Sequence, residues 1–481
     1  MKTAIVGRRP PRTGEEDTMA RFRSNGRFPE SGEPVRRAKR RAGSRVLATA
    51  AVVTACAALV APPDAEAAEV AITFRSFSGS AAIGPPADAF AAKLAGLSAT
   101  VLGKDGQIRF AKVTPMPAIP KDLGSILAAV GAGGPLAGGT GFDAAYISGS
   151  DLDPTWGFVF NSGIPFGPSF DEFLGFLYGR TVDGGAASGL DLLQQILDRN
   201  GRNVVAVPIV GSSQQGSGYF SLPVADAGAT RGIGLSGLCQ QSWTFRYLPP
   251  AQYVLDRACD NLVAAGVIPK KNIRFITALA GGGSLVKAVA DGQLQAFEFA
   301  SPLDDVSQLF GLPEGNPGTV GTRFVHFPGW HQQFLVTYMI INKKVWSTLS
   351  PAQQALVQTA AREHVLLSYA ENLRQQGAKL REILTANDAA ADQTKRLVLV
   401  QWPESDLRLL KDATIQFLNA RGSDAKLPEQ DRKDFARVLE ALRAYVSGNS
   451  AYWKVREVPP GLRFQGWLDP EGKKSWEQSL R

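Results

Sequence analysis

Predicted strands and helices alternate along the chain from Val70, and this order constrains the fold more than any other feature. The strand-like segments are VAITF, QIRFAKV and FDAAYIS, and the helix-like segments between them are ADAFAAKLAGL and KDLGSILAAV. Strands separated by helices at this spacing favour a largely parallel sheet with helices on both faces. We therefore expect an α/β fold.

The stretch 281–305, GGGSLVKAVADGQLQAFEFASPLDD, predicts a helix, a short buried strand and then a carboxylate. Ser284 is the expected N-cap, and Gly292 lies where the helix should end. Glu298 follows the apolar strand directly, and a carboxylate there is costly unless another group pairs with it. Glu298 is therefore a candidate site residue. The alternative is a glutamate that faces solvent at a strand end.

Two more polar side chains lie at the edges of apolar segments. Arg246 lies in the strand pattern SWTFRYLPP, on the opposite face from Tyr247, and Gln215 follows a strand in PIVGSSQQGSGYF. In α/β proteins ligands bind at such strand ends. We predict that Arg246, Gln215 and Glu298 surround one ligand.

Several motifs occur in a fixed order, namely GIPFGPSFDEFLGFLYG (163–179), QGSGYF (215–220), FRYLPP (245–250), FEFASPLDD (297–305) and FPGWH (327–331), followed by INKKVWSTLSP. Together they resemble the periplasmic solute-binding proteins of TRAP (tripartite ATP-independent periplasmic) transporters, in the branch for 2-oxo acids, mannitol or chloroaromatic compounds. The resemblance covers roughly residues 70–455. It implies a two-lobed periplasmic solute-binding fold with a hinge, a ligand cleft between the lobes and a long lobe-spanning helix.

The resemblance also implies a function without catalysis. The protein would capture a small organic anion, such as a 2-oxo or 2-hydroxy acid, and deliver it to the membrane subunits of a TRAP permease. Arg246 would hold the substrate carboxylate, while Gln215 and Glu298 would line the pocket. In some members these positions lie beside a metal ion, so a sodium or calcium ion held by Gln215 and Glu298 is a further expectation.

Two positions depart from the family pattern. Phe299 replaces the usual tryptophan after the glutamate, and phenylalanine stacks but cannot donate a hydrogen bond. Gln332 replaces a glutamate in PGWHQQ, which weakens the case for a bound cation.

An aromatic wall is expected around the pocket. Its members are Phe299, Tyr247, Tyr219 and Trp330. Tyr146, at the end of a strand, is either a pocket residue or a core residue. His331 is expected to be a pocket wall or a hydrogen-bonded core histidine, because no serine or cysteine stands in a nucleophile setting.

Six regions are predicted along the chain. They are an export signal with a basic leader (1–67), lobe I (68–208), lobe II (209–322), return strands between the lobes (323–348), C-terminal helices (349–458) and a tail (459–481). Pro208 is the expected crossing between lobes. Ser350, Pro351 and Gln353 predict the start of the lobe-spanning helix, which would run to about Leu384.

The leader predicts export to the periplasm. An apolar stretch at 46–61 precedes the small-x-small site AEA at 65–67, so the mature chain would begin near Ala68. A lipoprotein box at VTAC would instead make Cys56 a lipid anchor, but apolar residues follow it. The two remaining cysteines, Cys239 and Cys259, could form a disulfide in an oxidising compartment, or Cys259 could be a small buried hydrophobe.

Charge and motif content exclude other classes. Six of the eight net positive charges lie in residues 1–67, so no basic surface remains for nucleic acid. The glycine-rich segment 131–141 lacks the lysine and Ser/Thr of a phosphate loop. A ligand-binding sensor for a signalling receptor and a secreted hydrolase are the alternative functions. A homodimer is left open.

Overall fold

The computed structural model describes residues 69–456, except 77–83, 113–125, 128, 129, 132–142, 150, 151, 154, 180–187, 228, 229, 277–281, 307, 308, 310–320, 390, 391 and 393–395. The predicted export signal, the lipid anchor at Cys56, the tail and most of the glycine-rich segment 131–141 lie outside these residues. No helix among the described residues combines the length and the apolar content needed to cross a membrane.

The described residues form strands that belong to two sheets. The strands are β1 (Val70–Ser76), β2 (Ile108–Lys112), β3 (Ala144–Ser148), β4 (Val204–Ser212), β5 (Gly218–Phe220), β6 (Thr244–Arg246), β7 (Arg274–Ile276), β8 (Ala296–Phe297), β9 (Phe324–Phe327), β10 (Leu335–Asn342) and β11 (Val398–Gln401).

Helices cover both sheets and form the C-terminal part of the chain. They are α1 (Gly84–Leu102), α2 (Gly157–Ser162), α3 (Phe170–Tyr178), α4 (Gly189–Arg199), α5 (Gly234–Gln240), α6 (Ala251–Ala264), α7 (Gly282–Ala290), α8 (Pro302–Asp305), α9 (Lys343–Thr348), α10 (Pro351–Ala389), α11 (Glu404–Arg421) and α12 (Glu429–Arg456).

The first sheet has the strand order β2-β1-β3-β10-β4, and the second has the order β11-β9-β5-β8-β6-β7. Strand β10 is antiparallel to β3 and β4, and β5 is antiparallel to β8 and β9. The other pairs in both sheets are parallel. Strands β5 and β10 are the two that directly follow a crossing from the other sheet. Because they run back from the crossing, the strands antiparallel to them end on the side where the chain crosses. The expected two-lobed α/β fold is confirmed.

The chain crosses between the sheets at residues 213–217 and 328–334, which we call the first and second crossing segments. The prediction that it crosses at Pro208 was wrong, because β4 continues through Pro208, opposite Tyr338, to Ser212. Strand β4 is the edge strand of its sheet, where a missing N–H is tolerated, and the register shifts beside Pro208.

The alternating strand expected around FVHFPGWHQQFLVTYMIINKK is two strands in different sheets, β9 and β10. Trp330 and His331 lie in the second crossing segment between them rather than on a strand. Strand β10 is buried along its whole length, because it lies between β3 and β4 and its alternate residues pack in two hydrophobic cores.

Helix α10 is the predicted lobe-spanning helix. Its expected cap is present, since the Gln353 amide donates to Ser350 Oγ at 3.2 Å and the Ser350 amide donates to Gln353 Oε1 at 2.8 Å. Val357 packs in the core of the first sheet, whereas Leu384 packs in that of the second. The helix ends at Ala389, five residues later than expected.

Polar side chains of α10 also hold both lobes. Ser368 Oγ accepts from the Gly211 amide at 2.9 Å, at the end of β4. Asn372 Oδ1 accepts from the Ser213 amide at 2.8 Å in the first crossing segment. One turn later, Gln376 Oε1 accepts from an amide of α8 in the second lobe. The helix is therefore a brace that contacts the crossing segment and both sheets.

Helix α7 begins at Gly282, so Ser284 lies in its first turn, and the prediction that Ser284 is the N-cap was wrong. It ends as expected, because Gly292 has a φ of 72°, a conformation that favours glycine. The short strand β8 follows, and Glu298 comes directly after it.

Cys239 on α5 and Cys259 on α6 form a disulfide, which decides between the two alternatives for these cysteines. Both residues are fully buried. The bridge closes a loop of 20 residues between two helices of the second lobe.

Replacing both cysteines with alanine is expected to lower the free energy of unfolding by about 3 kcal/mol, because the bridge restricts the unfolded chain. Urea unfolding of the mature protein measures this loss. Wild-type protein unfolded with a reductant should show the same midpoint as the double variant. Equal midpoints for the double variant and the oxidised wild type would contradict the prediction.

Candidate functional site

Arg246 and Glu298 form a buried ion pair at the ends of two neighbouring strands. Strands β6 and β8 are parallel, and their register pairs Arg246 with Phe297, so Glu298 emerges beside the arginine. Arg246 Nη1 donates to Glu298 Oε2 at 2.7 Å and to the Glu298 carbonyl oxygen at 2.8 Å. The two residues are 6% and 1% exposed. Glu298 therefore does not face solvent, and the pairing group required by its burial is Arg246.

Burial raises the pKa of the Glu298 carboxyl, whereas the Arg246 charge and the Leu248 amide lower it. A buried ion pair adds little net stability, because desolvation of both charges offsets their attraction. Buried carboxyl groups with a perturbed pKa and a specific charge partner occur often at functional sites. The pair is therefore a candidate ligand-binding site.

Two more carboxyl groups, Asp304 and Asp305 of α8, are buried near this pair. Tyr219 donates from its hydroxyl to Asp305 Oδ2 at 2.7 Å and stacks on Phe297 with ring centroids 5.1 Å apart. Burial raises the pKa of Asp305 well above its ordinary value, and the charges of Asp304 and Glu298 add to the rise. Asp305 was not predicted from the sequence, although two acids directly after the largely apolar segment FASPL were a usable signal.

The two crossing segments lie against each other. Gln214 Nε2 donates to the Gly329 carbonyl oxygen at 3.3 Å, and Ser217 Oγ donates to that of Pro328 at 2.8 Å. A Cβ on Gly329 would clash with the carbonyl oxygen of Gln215. Gln215 is half-buried, and its Oε1 has no hydrogen-bond partner among the described residues.

Trp330, in the second crossing segment, is 1% exposed and stacks on Phe166 with ring centroids 5.8 Å apart. The Phe166 amide donates to the Trp330 carbonyl oxygen at 3.1 Å, and Phe166 itself has a φ of 56°. This backbone conformation is strained for phenylalanine and occurs often at functional sites. The indole Nε1 of Trp330 has no partner in the described part of the chain.

His331 follows Trp330, and its ring stacks on Tyr247 with centroids 6.1 Å apart and planes 15° apart. Tyr247 is held in turn, because its hydroxyl donates to the Ser217 carbonyl oxygen at 2.5 Å. Neither ring nitrogen of His331 bonds to a described residue. Of the two roles considered, the hydrogen-bonded core histidine is therefore wrong.

Tyr146 and Phe299 occupy different surroundings. Tyr146 is buried in the core of the first sheet, and its hydroxyl bonds to that of Thr337 on β10. It is thus a core residue. Burial is the main reason why the pKa of its hydroxyl is raised, and the nearby charge of Asp304 adds to the rise. Phe299 is half-buried and packs against the core of the second sheet, next to Glu298.

Glu298 and Gln215 by themselves supply too few oxygen atoms for a calcium ion. Calcium takes six to eight oxygen ligands. Glu298 supplies the one carboxylate of the pair and is already neutralised by Arg246, and Gln215 adds one amide oxygen. No cluster of three or more histidine, cysteine or acidic side chains suited to a metal occurs among the described residues.

His331 and His326 are both expected to stay neutral from pH 5 to pH 8. Burial lowers the pKa of His326 to about 3, and burial together with the Arg246 charge lowers the pKa of His331 to about 3. Protonation of His331 would place a second positive charge beside the guanidinium, away from water. An NMR titration of the imidazole resonances should show no inflection for either ring in this range.

The same protein unfolded in urea provides the control for this titration, because all its histidines should titrate near pH 6.5. The His331 resonance can be assigned by its absence from a His331→Phe variant. An inflection of that resonance near pH 6.5 in the folded protein would contradict the buried, neutral ring.

No protein-family model and no curated protein matches the sequence. Solved structures do match the fold. One is a TRAP transporter solute-binding protein from Bordetella bronchiseptica RB50, solved with calcium and picolinate. It is 15% identical in sequence, and the TM-score is 0.57. The match covers 81% of this chain and 95% of that chain.

Two further structures have the same fold. A TRAP periplasmic solute-binding protein from Pseudoalteromonas atlantica T6c, with sodium and pyruvate, is 14% identical at a TM-score of 0.57. Another from Colwellia psychrerythraea, with calcium and pyruvate, is 14% identical at a TM-score of 0.58. In both comparisons 81% of this chain and 97% of the other are covered. The chain therefore has the two-lobed fold of the periplasmic solute-binding proteins of TRAP transporters.

Proposed function

We propose that this protein is the extracytoplasmic solute-binding component of a TRAP transporter and captures a small organic acid without chemical change. The observation that supports this most is the buried guanidinium of Arg246. It lies at the strand ends that face the crossing segments and is oriented by Glu298. A guanidinium binds a carboxylate with two parallel hydrogen bonds, which a lysine cannot reproduce.

The proposed ligand class is a carboxylic acid with a second polar atom next to the carboxylate. Picolinate, bound in the Bordetella structure, and pyruvate, bound in the other two structures, share this feature. Here Gln215, Trp330 and His331 carry buried polar atoms that have no partner among the described residues, and these suit such a second atom. Tyr219 and Phe299 are proposed to form the apolar wall.

Capture would proceed by closure of the two lobes about the crossing segments, with α10 as the brace. The closed form would then dock on the membrane permease subunits. Export to the periplasm follows from the predicted signal. The Bordetella neighbour is described as a dimer, and a homodimer is a proposal here as well.

A thermal-shift screen followed by calorimetry tests this function. The mature protein is mixed with pyruvate, lactate, picolinate and their analogues without the second polar atom. A ligand present at 100 times its Kd should stabilise the protein by about 2.7 kcal/mol. Parallel samples with EDTA, sodium or calcium test the cation separately. If none of these acids shifts the melting temperature or gives heat, the proposed function is wrong.

A further inference from the structure

We propose that His331 is a specificity-determining residue that hydrogen-bonds the second polar atom of the acid whose carboxylate Arg246 holds. The inference rests on the proposed function and deepens it, because it assigns the recognition of 2-oxo and 2-hydroxy acids to one side chain.

The three histidines of the chain differ in how their ring nitrogens are paired. His326 is fully buried, yet its Nε2 accepts from the Val224 amide at 3.1 Å and its Nδ1 lies 3.0 Å from the Phe324 carbonyl oxygen. His364 also contacts a backbone carbonyl oxygen. His331 is 5% exposed, but both its nitrogens are without partners among the described residues. A buried polar group left unpaired is costly, so its retention calls for a partner from outside the chain.

The His331 ring is held between two aromatic side chains. His331 lies on the second crossing segment, between Tyr247 on one face and Trp330, whose ring plane is inclined to it by 72°. The two aromatic neighbours restrict rotation of the imidazole. The Arg246 guanidinium lies close enough for its charge to act on the His331 ring, so one small acid can meet both side chains.

The chemistry of a neutral histidine suits both kinds of second polar atom. A neutral imidazole carries one N–H donor and one acceptor nitrogen. It can donate to the oxo oxygen of a 2-oxo acid or to a ring nitrogen, and it can accept from the hydroxyl of a 2-hydroxy acid. An acid without the second polar atom would leave both nitrogens unpaired. A site built in this way rejects such analogues more strongly than an apolar pocket does.

The test uses His331→Phe, which keeps a planar ring against Tyr247 and removes both nitrogens. The probes are pyruvate, lactate and propionate, which share three carbons and differ in the second polar atom. We expect the Kd for pyruvate and for lactate to rise at least tenfold while that for propionate stays unchanged. The urea midpoint of the ligand-free variant should be equal to or higher than that of wild type, because an unpaired polar group has been removed.

His364→Phe is the matched control. It should lower the urea midpoint, since it loses the bond from His364 Nε2 to the Pro86 carbonyl oxygen at 2.8 Å, and leave all three Kd values unchanged. If His331→Phe still prefers pyruvate and lactate over propionate as strongly as wild type does, this inference is wrong, while the proposed function is unaffected. A lowered urea midpoint in that variant would overturn it too, because His331 would then have a structural partner. Wild-type protein that binds none of the acids in the thermal-shift screen would overturn the proposed function as well.

Discussion

Replacing Arg246 with methionine is expected to raise the Kd for pyruvate or another cognate acid by a factor of about 100 to several thousand. The variant loses the charged fork that binds the carboxylate, and truncating one partner of a buried charge pair costs about 3 to 5 kcal/mol. Isothermal calorimetry measures the change. A wild-type Kd in this variant would remove Arg246 from the site.

The variant should also be less stable, which needs a separate control. Glu298 would remain buried without its partner, and an uncompensated buried charge costs about 3 to 5 kcal/mol of folding free energy. Adding Glu298→Gln should restore much of that stability, because the amide is neutral, but should not restore binding. Arg408→Met removes an arginine from an exposed ion pair with Glu404 and should change neither property by a measurable amount.

Replacing Gly329 with alanine is expected to lower the free energy of unfolding by about 3 kcal/mol or more and to abolish tight binding. The new Cβ would clash with the carbonyl oxygen of Gln215, which is backbone and cannot rotate away. The two crossing segments would have to separate, and Gln215 and Trp330 would move with them. Urea unfolding and calorimetry measure the two effects.

The same substitution at Gly377 provides the matched control. Gly377 lies on α10, and a Cβ there would lie 3.9 Å from the guanidinium of Arg381, an ordinary van der Waals distance. Because alanine favours helices over glycine, Gly377→Ala should raise the free energy of unfolding by about 0.5 to 1 kcal/mol and leave the Kd unchanged. If Gly329→Ala has the same free energy of unfolding as wild type, the crossing segments can separate without cost and the prediction is wrong.

Local patterns in the sequence were sufficient for most elements. Ser350 and Gln353 predicted the start of α10 because both partners of the cap lie within one helical turn. Glu298 was predicted to need a partner because burial of its carboxylate follows from the apolar residues directly before it. The motifs that resemble TRAP solute-binding proteins predicted the two-lobed fold, and the structural neighbours confirm it.

The crossing points could not be predicted in this way. Pro208 suggested a boundary because proline usually ends strands, but an edge strand tolerates it, and edge position depends on how distant strands pair. The disulfide between Cys239 and Cys259 likewise depends on the packing of α5 against α6. Ser284 was placed at a helix start because the glycines before it disfavour a helix, yet α7 begins at Gly282.

By itself the sequence determined the α/β class, the long brace helix and the candidate residues Arg246 and Glu298, because these depend on periodicity, caps and the burial of neighbours in the chain. The tertiary structure was needed to show that Tyr219 bonds to Asp305 and that His331, within reach of the Arg246 charge, has no hydrogen-bond partner in the described part of the chain. Those relations join residues that are about 80 positions apart or more. Whether a buried polar atom finds a partner is determined by segments that meet only after both sheets have formed.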